Sequence, residues 1–164
     1  MNSQSGGSPG KMPEKDTLRR AREDAEEGKS ASTQAGEFVR EEIHHVREGK
    51  HGARSAKQAI AIGLSKARRA GIKLGQPKPS RTNASAREKA KKDSEKSRHP
   101  RKTSAKRSRA TLRALKKEPR TSASSKALAK QAHSSASRRT RKERSAAGKK
   151  AAKTRTRSST GARR

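Results

Sequence analysis

Three histidines and two glutamates lie within eleven residues of one another: Glu41, His44, His45, Glu48 and His51. Imidazole and carboxylate ligands together suit zinc or nickel. In a helix, Glu41 and His45 lie one turn apart, as do His44 and Glu48. His44 and His45, however, point about 100° apart and do not easily share one ion. A polar helix face with His–Glu pairs is the simpler interpretation, so the sequence predicts no metal and no cofactor.

The rest of the chain offers little that could support catalysis. It has no cysteine, tyrosine or tryptophan. The "GKS" at 28–30 matches the end of a phosphate-binding loop, but that motif needs a glycine where Glu23 stands. Hydrophobic residues make up 25% of the chain, which leaves too little core to keep water out of a reactive pocket. We therefore expect no enzyme activity.

Positive charge is the strongest chemical signal. The formal net charge is +31, and residues 76–164 hold 31 basic and 5 acidic side chains. Such a polycation repels itself, and it gains free energy from counterion release when it neutralises phosphates. The sequence thus predicts binding to nucleic acid, more to DNA than to RNA, without sequence preference. It also predicts a cytoplasmic, nucleoid-associated and histone-like protein.

The candidate phosphate contacts fall into two groups. Four lie on or near a predicted helix over 54–70, and they are Lys57, Lys66, Arg68 and Arg69. The others lie in the basic tail, and they are Lys106, Arg107, Arg109, Arg113, Lys116, Lys117, Arg138, Arg139, Arg141, Lys142, Arg144, Lys149, Lys150, Lys153, Arg155 and Arg157. Phe38 is the single aromatic residue, so a platform for stacking single-stranded bases is not expected.

A helical hairpin is the one part of the chain that can form a core. Val39, Ile43 and Val46 recur at helical spacing over about 34–48, and Ser55 with Gln58 forms a capping box that starts a second helix over about 55–70. The small residues on this second helix, among them Gly63, allow a partner helix to approach closely. The predicted core or partner face comprises Phe38, Val39, Ile43, Val46, Ile60, Leu64 and Ile72. A core this small favours self-association or packing on a partner.

The predicted fold is therefore mostly α with extensive disorder. Residues 1–33 form a polar segment with a marginal helix at about 14–27, and residues 34–75 form the hairpin domain. Residues 76–164 form a largely disordered basic tail with transient helices, because low hydrophobicity and high net charge are typical of disorder. No apolar run is long enough to span a bilayer, and no membrane partner is expected.

An interaction adaptor is the alternative function. In that interpretation the hairpin over 34–72 binds a protein, and the tail improves solubility or attracts RNA. Association with the ribosome is a related possibility.

The string "GEFVREEIHHVREGKHGARSAKQAIAIGLSKARRAG" resembles a family of small, uncharacterised bacterial proteins. Their shared block is KQAIAIxLSxAR, which corresponds here to Lys57–Arg68. The segments "SAKRSRATLRALK" and "SSKALAKQA" resemble the longer members. The resemblance implies a bacterial source and no particular activity. The final "SAAGKKAAKTRTRSSTGARR" is similar in composition to the tails of linker histones and bacterial histone-like proteins.

Overall fold

The computed structural model describes residues 13–77, 79, 82–99 and 104–161, without the side chains of 154 and 157–161. In these ranges the chain forms seven α-helices, and a 3₁₀ turn lies between the fifth and the sixth. The helices are α1 (Lys15–Glu26), α2 (Ala31–Arg47), α3 (Ala56–Arg69), α4 (Ala84–Arg98), α5 (Ala105–Lys116), α6 (Ser125–Ser137) and α7 (Arg141–Gly161), with the 3₁₀ turn at Thr121–Ala123. One compact unit ends at Leu128 and a second begins at Ala129. The domain boundary predicted at residue 76 falls inside the first unit.

The prediction of extensive disorder around a hairpin over 34–48 and 55–70, with a marginal helix at about 14–27 and only transient helices in the tail, is wrong. Four helices, α4 to α7, follow the hairpin. Alanine, lysine and arginine favour helix, and polar side chains start two of these helices. Asn83 accepts a hydrogen bond from the Ala86 amide at 2.9 Å, and Ser124 Oγ accepts one from the Ala127 amide at 3.2 Å. Each bond satisfies an amide that a helix start otherwise leaves unpaired.

The histone-like class, which was inferred from the charge and composition of the C-terminal tail, is wrong as well, because this part of the chain forms ordered helices. Thr140 and Glu143 form a reciprocal capping box at the start of α7. Thr140 Oγ1 accepts from the Glu143 amide at 3.2 Å, and Glu143 Oε2 accepts from the Thr140 amide at 3.1 Å. The "TRKE" signal for a helix start was present in the sequence but was hidden by the surrounding basic residues.

The first three helices end in the same way. Gly28, Gly49 and Gly71 each follow a helix and adopt positive φ values of 70°, 76° and 94°. In each case the amide after the glycine donates to a carbonyl of the last helical turn, at 2.8, 3.0 and 3.1 Å. This Schellman arrangement favours glycine, because a side chain strains a left-handed backbone.

Two apolar clusters lie on α2 and α3. The first contains Ala21, Ala35, Phe38 and Ala67, with Leu18, Leu64, Ile72 and Leu74 packed against it. The second contains Ile43, Val46, Ala53, Ala59 and Ala123, with Val39 and Leu128 packed against it. The hairpin is therefore covered by other parts of its own chain: α1 contributes to the first cluster, and the 3₁₀ turn contributes to the second.

The small residues of α3 occupy its most buried positions. Phe38, Ile43 and Val46 of the predicted face are buried, whereas Val39, Ile60, Leu64 and Ile72 are half-buried. On α3 itself the buried apolar positions are Ala56, Ala59, Gly63 and Ala67. A Cβ added at Gly63 would lie 2.7 Å from the Val39 Cα atom. The backbones of α2 and α3 thus approach too closely for larger side chains between them.

The last turn of α5 and the residues that follow it dock on the loop between α2 and α3. The Gly52 amide donates to the Leu115 carbonyl at 2.9 Å, and the Ala53 amide donates to the Pro119 carbonyl at 3.2 Å. A Cβ at Gly52 would overlap the Glu118 carbonyl. The C-terminal end of α5 is therefore fixed to the core through backbone contacts that the pattern of apolar residues does not reveal.

The helix α4 packs on α3 through a buried acid. Asp93 accepts a hydrogen bond from Ser65 Oγ, and it lies 3.5 Å from Arg69 Nε. Ala90, one turn earlier on α4, is buried as well. Within the described ranges, no helix is both long and apolar enough to cross a membrane.

We expect opposite effects from alanine at two glycines within helices. Gly36→Ala places its Cβ in open space and should raise the free energy of unfolding by about 0.5–1 kcal/mol, since glycine weakens a helix. Gly63→Ala places its Cβ against the α2 backbone and should lower it by about 1–3 kcal/mol. Urea unfolding followed by circular dichroism measures both. Equal effects at the two positions would contradict the close α2–α3 approach.

Candidate functional site

One face of α5 carries a row of positive charge. Lys106, Arg109, Arg113 and Lys116 recur at spacings of three, four and three, which places them on the same side of a helix, and all four are exposed. Leu115 points roughly the opposite way and is buried. Among the residues that the structure describes, none of the four has an acidic partner within ion-pair distance. We call these four residues the α5 stripe.

The length of the α5 stripe can be compared with the spacing of phosphates along a duplex. From Lys106 to Lys116 a helix rises about 15 Å. One strand of a duplex presents a phosphate about every 3.4 Å of axial rise, so the stripe covers the axial rise of about four phosphates. Because the strand also winds around the axis, a helix of this length offers its four charges to a short stretch of duplex, not to four successive phosphates of one strand.

The other predicted contacts in the tail are exposed but less aligned. Arg107 and Lys117 are exposed at α5, and Arg138 and Arg139 are exposed between α6 and α7. On α7 the exposed basic residues are Arg141, Lys142, Arg144, Lys149, Lys150, Lys153 and Arg155. Their spacing distributes them around the helix, so only part of them can face one ligand. The side chain of Arg157 lies outside the described residues.

Two of the four contacts predicted on α3 do not reach the surface. Lys66 is 7% exposed and Arg68 is 9% exposed, so neither offers its charge to a phosphate. Burial lowers the pKa of Arg68, and a nearby Asp93 charge opposes this change. Arg69 is exposed but pairs with Asp93. Of these four residues, only Lys57 lies at the surface without an acidic partner in the described part of the chain.

A polar cluster lies buried between α2, α3 and the loop that joins them. We call Glu41, Glu42, His45, His51 and Lys66 the Glu42 cluster. Lys66 Nζ lies 2.8 Å from Glu42 Oε2 and 3.2 Å from Glu41 Oε1. His51 Nε2 lies 3.2 Å from Glu42 Oε1, and His45 Nε2 lies 4.0 Å from Glu41 Oε1. The cluster joins the two hairpin helices by charge.

The start of α1 closes one side of this cluster. Glu14 Oε1 lies 2.9 Å from His45 Nε2. The hydrogen bond with His45 lowers the pKa of Glu14, against the effect of burial and with help from Lys50. Glu14 therefore stays ionised at neutral pH and links α1 to α2. A cavity of about 300 Å³, lined in part by Glu14, Glu41, His45 and Lys50, opens beside it.

The buried position of this cluster differs from the polar, solvated face expected from the sequence. His44 and Glu48 are exposed, as expected, but Glu41 and His45 are buried. Glu42 and Lys66 were not recognised as members. A signal existed, because Glu42 lies four residues after Phe38 and Lys66 lies three residues after Gly63, so each falls on a buried helix face. An acid and a base on facing helix stripes predict a buried pair.

A family model described as a family of unknown function (DUF6496) matches residues 26–78, which is about a third of the chain and contains α2 and α3. The basic helices α4 to α7 lie beyond the match. No curated protein and no solved structure matches the chain.

We expect Lys66→Met to destabilise the fold strongly. Removing the ammonium group leaves Glu41 and Glu42 buried without their cation, and breaking a buried ion pair in this way costs about 3–5 kcal/mol. Lys57→Met, at an exposed position of the same helix, should change stability by less than about 0.5 kcal/mol. Thermal and urea unfolding of both variants would test this. Similar stability of the two variants would show that Lys66 does not hold the carboxylates.

Proposed function

We propose that the chain binds duplex nucleic acid independently of sequence, by contacts between basic helices and phosphates. The observation that carries the proposal is the α5 stripe: four exposed cations, at helical spacing, on a helix whose other side is anchored by Leu115. Residues 104–161 contain 19 basic and 2 acidic side chains, so the surrounding chain adds attraction of the same sign. Binding would release counterions from the duplex.

The distribution of side chains favours a duplex over a single strand. Proteins that bind single strands stack bases on aromatic side chains, and Phe38, the only aromatic residue of the chain, is 0% exposed.

The side chains along α5 are lysine, arginine, serine, threonine, alanine and leucine. Asparagine, glutamine and acidic residues, which read adenine and cytosine edges, are absent from it, so arginine and lysine at guanine are its main means of base readout. Phosphate contacts position a protein without reading sequence.

The adaptor alternative stays a prediction. Part of the apolar face of the hairpin packs against α1 in one cluster and against the 3₁₀ turn in the other, whereas Ile60, which is half-buried, belongs to neither cluster. Self-association through the hairpin stays a prediction, as does the preference for DNA over RNA. A cytoplasmic location beside nucleic acid depends on the proposed function and also stays a prediction.

Neutralising the α5 stripe should weaken the salt dependence of binding. We expect the variant Lys106→Gln, Arg109→Gln, Arg113→Gln and Lys116→Gln to make the slope of log K against log salt shallower by about 3–4, because each lost phosphate contact removes about 0.9. Fluorescence anisotropy with a random 20-base-pair duplex, titrated at several salt concentrations, measures this slope. DNA and RNA duplexes in parallel titrations test the preference between them.

A matched control removes the same charge elsewhere in the first unit. Lys15→Gln, Arg22→Gln, Arg54→Gln and Lys73→Gln change four exposed residues outside α5. This control should shift the slope by less than about one. An equal shift in both variants would mean that net charge, not the α5 stripe, determines binding. A slope near zero for the unchanged protein would refute the proposed function itself.

A further inference from the structure

Glu42 and His51 present buried polar atoms that have no hydrogen-bond partner. Glu42 is 0% exposed and His51 is 2% exposed. Neither oxygen of the Glu42 carboxylate forms a hydrogen bond with a described residue, and the same holds for His51 Nε2. Oε2 still has the Lys66 ammonium beside it as a charge. Buried polar atoms in native proteins are nearly always bonded, so Glu42 Oε1 and His51 Nε2 in particular point to a ligand that completes them.

The position of the proton on His51 shows why its Nε2 atom needs a further partner. His51 Nδ1 lies 3.0 Å from the Gly52 carbonyl oxygen, which can only accept, so Nδ1 carries the proton. In the neutral ring, Nε2 then holds a lone pair and faces Glu42 Oε1 at 3.2 Å. Two acceptors at this distance repel each other. A proton or a metal ion must lie between them, and the proton could be carried by the ring or by the carboxyl group.

His45 supplies a third donor at the same place. One donor atom each from Glu42, His45 and His51 lies within 4.8 Å of the others. The two rings are nearly perpendicular, with centroids 6.1 Å apart. Ligands of one ion sit about 2.0–2.2 Å from it, so three donors this close can share a single ion after small side-chain movements.

The surroundings resemble the outer shell of a metal site. A ligating histidine usually donates its other ring proton to a carbonyl or carboxylate, which fixes the tautomer. His51 has the Gly52 carbonyl in this role, and His45 has Glu14. Lys66 holds Glu42 by Oε2, which leaves Oε1 on the side of His51. The ammonium group therefore need not leave when an ion binds.

The charge of the cluster also attracts a cation. Glu41 and Glu42 carry two negative charges, and Lys66 carries one positive charge. With neutral imidazoles, a buried negative charge remains, which is costly at this depth. Two imidazoles and one carboxylate suit zinc and its neighbours, whereas magnesium and calcium prefer oxygen ligands. The cavity beside His45 reaches one of the three ligands.

We propose that Glu42, His45 and His51 bind one divalent transition-metal ion, with zinc the best match to the ligand types. The ion would tie α2 to the loop between α2 and α3. Gly52 and Ala53 of this loop hold the C-terminal end of α5 by backbone hydrogen bonds. The metal site is independent of the proposed nucleic-acid binding, although it would stiffen the support of the α5 stripe.

The test uses the full chain without an affinity tag, stripped with a chelator and titrated with Zn²⁺ and with Co²⁺. We expect one ion per chain, a Co²⁺ absorption band typical of low coordination number, and a melting temperature that rises by several degrees on zinc addition. His51→Gln should weaken binding about 100-fold or more, because it removes a ligand. His44→Gln, at the exposed neighbouring histidine, and His99→Gln should bind as the unchanged protein does.

Metal binding by the unchanged protein tests the proposal even if a variant misfolds. Circular dichroism identifies a misfolded variant. Failure of the folded chain to bind one Co²⁺ or Zn²⁺ ion saturably would overturn the proposal, and the Glu42–His51 contact would then be a buried imidazolium–carboxylate pair. Equal affinity of folded His51→Gln and His44→Gln would overturn it too, since the ion would then bind elsewhere. Glu42→Gln, which keeps the shape of the side chain, should lose the ion as His51→Gln does.

Discussion

Lys66 and the two carboxylates that it contacts, Glu41 and Glu42, hold α2 and α3 together inside a core with few large apolar side chains. The chain has only one phenylalanine and no tryptophan or tyrosine, so apolar burial alone provides little stabilisation. Buried charges are costly unless each is paired. The ion pairs therefore constrain the position of α2 relative to α3. Gly63, one turn before Lys66, lets the backbones of α2 and α3 approach closely at the same interface.

The scarcity of large apolar side chains also explains how the later helices attach to the hairpin. The α5 segment is held by backbone hydrogen bonds at Gly52 and Ala53 and by the single buried leucine Leu115. The α4 helix is held by Asp93, which meets Ser65 and Arg69. Backbone amides and short polar side chains replace the apolar area that these helices lack. Each attachment depends on the hairpin, so the order of the first unit follows from the α2–α3 contact.

Local signals in the sequence predicted individual elements better than their assembly. The glycines at 28, 49 and 71 and the Ser55 cap mark helix ends by backbone chemistry that acts within a few residues, and Ser55 does accept from the Gln58 amide. The disorder prediction failed because the apolar content and the net charge of a segment are averages over its whole length. These averages contain no information about a helix cap at Asn83 or a close backbone contact at Gly52. The burial of Glu42 and Lys66 was missed because a charged residue was taken as solvated, although its partner lies on a helix that only tertiary packing brings near.

The distribution of acids along the chain determines what its positive charge can do. Ten of the 15 acidic residues precede residue 76, and there the cations find internal partners, as Arg20 does with Glu37 and Lys66 does with Glu42. Residues 104–161 hold two acids for 19 cations, so most of that charge is left for an external anion. A helix fixes such charges at set spacings before binding, which reduces the entropy lost when a ligand orders them. Under the proposed function, the chain would therefore lose less entropy on binding a polyanion of regular spacing than a disordered tail of equal charge.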